Sequence, residues 1–148
     1  MTVTPSPLVR FLEDRFACAL ACVECARACA ARVSFVALEP AAVTGDPRAA
    51  SCLEEHLEEQ WRPLRGGELR RRALLCVEVC DVTARLLSED SWRDEHTIRV
   101  QVEWCRAVAL ECAHVCDRTP GPESDLCGDA CRACARACTE FLATLSEE

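Results

Sequence analysis

A chain of 148 residues that carries 14 cysteines but only 5 glycines and 7 prolines has the length of one domain, residues 1–148, and a cysteine density that any reading must explain first. Its net charge of −8 comes from 25 acidic residues against 17 basic ones, all arginine, which leaves no basic face for phosphates and excludes nucleic acid as a partner. No uncharged run is long enough to span a membrane, and Met1 to Pro7 has neither a basic n-region nor an apolar h-region, so the expected location is cytoplasmic, where thiols stay reduced.

The first helix is expected to open at Ser6-Pro7, an N-cap residue followed by proline at the first helical position, and to run to about Glu39 before Pro40. The connection from Pro40 to Gly67 is long, and Asp46-Pro47 inside it predicts a short extra helix over Arg48 to Trp61. The second long helix follows Gly66-Gly67, from about Glu68 to Glu89. A third begins near Asp94 or Glu95 and stops at Thr119-Pro120-Gly121-Pro122. The fourth begins near Glu123 or Ser124 and continues almost to the C-terminus. Short turns between the last three make neighbours antiparallel. The fold class is therefore all-α, an antiparallel up-down four-helix bundle with a short extra helix in the first connection.

Cysteine spacing says what the bundle is for. On the first helix Cys18, Cys22, Cys25 and Cys29 follow steps of four, three and four, which return to one face. The fourth helix repeats the pattern at Cys127, Cys131, Cys134 and Cys138, and Cys-Ala-Arg-Ala-Cys occurs in both. Cys105, Cys112 and Cys116 follow the same template on the third helix, with Ala109 in the second place. The second helix keeps Cys76 and Cys80, and Leu69 and Ala73 complete its template. Charged residues on the first helix fall to the sides and rear of the cysteine stripe, so the thiols take the inward positions that leucines hold in an ordinary bundle. Folding the helices about their turns brings Cys116 level with Cys127, Cys80 level with Cys105, Cys29 near Cys127 and Cys116, and Cys18 near Cys138. The result is a cysteine-lined interior about 16 Å long at 1.5 Å per residue.

Cysteine can pass as a small apolar residue, yet a core of cysteine and alanine would be underfilled. Disulfides one helical turn apart fit the α-carbon spacing but not the S–S torsion. Soft thiolates select Cu(I), zinc or iron–sulfur clusters. Cluster motifs gather three cysteines in a loop, and structural zinc needs closed sets of four, whereas Cu(I) accepts two or three sulfurs and shares them between ions. A continuous stripe suits Cu(I). An iron–sulfur or zinc-binding protein, and a thiol-disulfide redox protein, are the alternatives.

The chain resembles the bacterial cytosolic copper storage proteins, a family of cysteine-rich four-helix bundles. The resemblance rests on Cys18-x3-Cys22-x2-Cys25-x3-Cys29, Cys76-x3-Cys80-Asp81, Cys112-x3-Cys116 and Cys127-x3-Cys131-x2-Cys134-x3-Cys138. It implies copper storage and homeostasis, with multiple Cu(I) ions per chain inside a bundle that is often a homotetramer. The thin second stripe, Ala109 and the long first connection imply a lower capacity than richer members have. The sequence identifies no copper donor or acceptor protein.

Three histidines remain. His114 lies opposite its cysteine stripe and His96 at a helix start, both surface positions. His56 follows Cys52 by four residues on one face of the expected connecting helix, making Cys52 and His56 a candidate access or capping site at the bundle end that holds Cys29, Cys116 and Cys127. There is no phosphate loop, no nucleophile elbow and no converging carboxylate pair, so no enzyme is expected and no catalytic residue is assigned.

Overall fold

The computed structural model describes residues 6–38, 65–89 and 94–145. Four helices are built from them: α1 (Pro7–Leu38), α2 (Arg65–Ser88), α3 (Glu95–Asp117) and α4 (Pro122–Thr144). Each start has a local cause. Ser6 caps α1 by accepting the Val9 N–H at 3.3 Å, with Pro7 at the first helical position. Asp94 caps α3 by accepting from the Thr97 N–H at 2.8 Å and from its hydroxyl at 2.7 Å. At α4 the cap is Gly121, whose φ of 146° belongs to a region that side-chain-bearing residues avoid, and Pro122 follows it. Glu123 and Asp125 in that first turn oppose the positive end of the helix dipole.

The second helix begins earlier than the sequence suggests. Gly66 and Gly67 lie inside its first turn, and Arg65 opens it. A first turn has no intrahelical acceptor for its N–H groups in any case, so two glycines there cost less than they would in mid-helix. The expected helix over Arg48 to Trp61 lies outside the described residues.

Each helix packs on two neighbours, α1 on α2 and α4, and α3 on α2 and α4, which closes a four-membered ring. Cross-helix pairs give the direction. On α1 and α4, Cys18 meets Cys138 and Cys29 meets Cys127, so the two run antiparallel. On α2 and α3, Gln101 donates to Thr83 at one end and Arg118 pairs with Glu68 at the other.

The core has three parts. Thirteen cysteines fill the middle, twelve of them at 0% exposure and Cys116 at 2%. Beyond Cys18 and Cys138 the bundle is closed by Phe141, Leu87, Val102 and Ile98, with the Phe11 and Phe141 rings 5.6 Å apart. The opposite end, beyond Cys29 and Cys127, holds buried Leu69 together with the polar residues Arg32 and Ser124. Gly128 permits close approach of α4 to α3 there, since a Cβ at that position would stand 3.3 Å from the Cys116 Cβ.

Candidate metal centre

Helical periodicity places the stripe cysteines inward, and the offset between helices decides which sulfurs meet. Between α1 and α4 the pairs are Cys18 with Cys138 at 3.7 Å, Cys22 with Cys134 at 3.8 Å, Cys25 with Cys131 at 3.6 Å and Cys29 with Cys127 at 3.4 Å. The two complete stripes thus run side by side for their full length. The shorter stripes fit against them. Cys76 lies 3.5 Å from Cys25, Cys80 lies 3.8 Å from Cys105, and Cys112 lies 3.9 Å from Cys29. All of these are contacts between free thiols, far longer than the S–S bond of about 2.05 Å.

Several sulfurs form near-equilateral triangles. Cys22, Cys105 and Cys134 are separated by 3.7, 3.8 and 3.9 Å. Cys80 makes a second triangle on the same Cys105–Cys134 edge, at 3.8 and 4.0 Å. Cys25, Cys76 and Cys131 form a third at 3.5, 3.6 and 4.0 Å, and Cys29, Cys112 and Cys127 a fourth at 3.4, 3.9 and 4.0 Å. The centre of each lies about 2.2 Å from all three sulfurs, close to the ~2.3 Å of a metal–thiolate bond. Three-coordinate ions would fit with little movement. Cys105 and Cys134 each belong to two triangles, so one sulfur can serve two ions.

Proton sharing follows from the same contacts. Hydrogen bonding with Cys138, then with Cys22, holds Cys18 down at about 5, far below the ordinary 9.0. Cys25 is pushed up, first by its bond to Cys131, and Cys116 by its bonds to Cys112 and Cys127, with burial adding to both. A thiol that lends its proton to a neighbouring thiolate keeps that proton longer.

The family model described as Csp, copper storage protein, matches residues 5–143. The chain belongs to the copper storage protein family. A cytosolic copper storage protein from Streptomyces lividans, solved with five coppers, has 26% sequence identity, a TM-score of 0.70 and coverage of 90% of this chain and 95% of its own. The Streptomyces lividans Ccsp loaded with 10 copper equivalents has 27% identity, a TM-score of 0.70 and coverage of 90% of this chain and 86% of its own. A Streptomyces lividans Ccsp mutant with a single histidine changed to alanine gives 26% identity and a TM-score of 0.71 over 90% of this chain and 96% of that one. No curated protein matches the chain.

Within this copper storage bundle the predicted positions fall as follows. Cys18, Cys22, Cys25, Cys29, Cys76, Cys80, Cys105, Cys112, Cys116, Cys127, Cys131, Cys134 and Cys138 are all buried in the interior. Cys29 meets Cys112 rather than Cys116, because α3 sits about one helical turn further along α1 than the level pairing suggests. Cys116 sits instead beside Cys112 and Cys127. Leu69, Ala73 and Ala109, the places where the stripes lack sulfur, are buried at 1%, 0% and 0%. His96 and His114 are exposed. Cys52 and His56 lie outside the described residues. Two buried polar features escaped the sequence pattern, the Gln101 to Thr83 hydrogen bond at 3.0 Å and Ser124, and their only signal was a polar residue at a helical core position.

Proposed function

We propose that this copper storage protein works as a cytosolic, non-enzymatic store whose thirteen interior cysteines bind many Cu(I) ions at once. One observation carries the reading: ten of the sulfurs form a continuous network at 3.4 to 4.0 Å, in which two three-sulfur sets share Cys105 and Cys134. Shared sulfurs are what a soft ion of low coordination number needs if many copies are to be held in a small volume. The likeness to Streptomyces structures loaded with five and ten coppers supports the same reading. Residues 1–148 act as one domain. Phe16 and Leu20 on α1 and Val100 and Trp104 on α3 are half or more exposed, which supports assembly into a homo-oligomer, with a tetramer the state to test first. Anaerobic Cu(I) titration against a competing chelator tests the storage role. Many equivalents per chain, colourless in visible light with ultraviolet thiolate-to-copper absorption, are expected, and saturation at one or two ions would refute it.

A further inference from the structure

Geometry alone would also admit zinc. Cys22, Cys105, Cys134 and Cys138 have their sulfurs within 4.8 Å of one another, and so do Cys25, Cys29, Cys76 and Cys131. A tetrahedron with metal–sulfur bonds of about 2.3 Å has edges of about 3.8 Å, close to the spacings observed. The two sets share no residue, so two divalent ions could sit in one chain together. A third set, Cys29, Cys112, Cys127 and Cys131, shares two sulfurs with the second.

The surroundings lack the means to neutralise such an ion. Four thiolates around a divalent cation leave two negative charges, and protein sites normally answer them with donors in the outer shell. Among the described residues, the hydrogen bonds that reach stripe sulfurs all come from other stripe sulfurs. The backbone N–H groups of α1 to α4 are spent within their helices, and the stripe positions without sulfur, Leu69, Ala73 and Ala109, are apolar and buried. Uncompensated charge in so dry a space is strongly disfavoured. A monovalent ion on three thiolates would carry the same charge. Because neighbouring ions can share sulfurs, as Cys105 and Cys134 permit, further ions cancel it, and a store holding one ion per thiolate has no charge left over.

We propose that the interior selects its cargo by charge: it takes soft monovalent ions, Cu(I) and Ag(I), in large numbers, and holds soft divalent ions such as Zn(II) weakly although it offers them two complete four-sulfur sets. The inference rests on the storage reading and adds the basis of its specificity. The test is anaerobic equilibrium competition on the full chain with Cu(I), Ag(I) and Zn(II) in parallel, and with a four-cysteine zinc-finger peptide as the zinc reference. Ag(I) should reach a capacity close to that of Cu(I), and Zn(II) should bind at least about a thousandfold more weakly than to the peptide. Ala109→Ser sets a hydroxyl donor one turn from Cys105 and Cys112 and should tighten Zn(II) by about tenfold. Two zinc ions held by the unmodified chain within about tenfold of the peptide's affinity would overturn the proposal. So would a folded Ala109→Ser protein with no gain for zinc. Failure to store either monovalent ion would instead refute the storage reading itself.

Discussion

Cys134→Ser and Cys18→Ser change the same atom at two very different places in the sulfur network. The Cys134 sulfur lies 3.8 Å from Cys22, 4.0 Å from Cys80 and 3.9 Å from Cys105, and it closes two of the four triangles. Cys18, at the sealed end, meets Cys138 at 3.7 Å and belongs to none of those triangles. Serine keeps the approximate size and loses the soft donor. Removing Cys134 should therefore cost about two or more Cu(I) per chain, and removing Cys18 about one at most, because a shared thiolate serves several ions. The assay is anaerobic Cu(I) titration with a chromophoric chelator, with copper and protein quantified on the isolated complexes and helicity checked by circular dichroism. Equal losses from the two variants would refute the ordered network and favour loose chelation, in which only the number of thiols counts.

Copper loading should raise the melting midpoint by about 10 °C or more, since ligand at 1,000 times its dissociation constant adds roughly 4 kcal/mol per site and a chain of this size gains a few degrees per kcal/mol; coincident scanning-calorimetry midpoints for apo and loaded protein would contradict an interior store. Acid should weaken binding. Cys25 and Cys116 are pushed up and hold their protons at neutral pH in the copper-free protein, so copper must displace them, and apparent affinity should fall by about tenfold per pH unit for each proton released. A pH-independent affinity between pH 6 and 8 would contradict this. Phe141→Ala should cost about 3 to 5 kcal/mol in urea unfolding while leaving copper capacity in place, because the ring is fully buried at the sealed end and is no ligand. Ser124→Ala should leave stability unchanged or raise it by about 1 kcal/mol in the same assay, since its buried hydroxyl has no hydrogen-bond partner among the described residues.

Much of this protein is decided by local chemistry, and so is legible from the chain alone. Ser6-Pro7 and Asp94 start helices because a side-chain oxygen can satisfy an N–H that the helix cannot, a matter of three residues. The inward turn of the cysteines follows from steps of three and four, which no packing arrangement alters. The antiparallel order follows from short connections, and with it the meeting of Cys18 with Cys138, Cys80 with Cys105 and Cys29 with Cys127. Gly66-Gly67 misled, because a glycine pair signals a break by composition while a helix's first turn tolerates it.

What only the tertiary structure decided is the offset between helices and what the ends contain. Periodicity puts a thiol on a face but says nothing of the axial slide of one helix along another, which is set by the whole interlocking of side chains. That slide brings Cys112 to Cys29 and leaves Cys116 beyond it, beside Cys112 and Cys127. It also makes triangles out of stripes, with Cys105 and Cys134 each serving two. The sealed end is equally non-local: Phe11, Leu87 and Phe141 come from three different helices, and none of them announces in its own segment that it closes a tube of sulfur. The thiols and their facing are written in spacings of three and four residues. Their grouping into sites depends on contacts between residues as much as 120 positions apart, which no local pattern encodes.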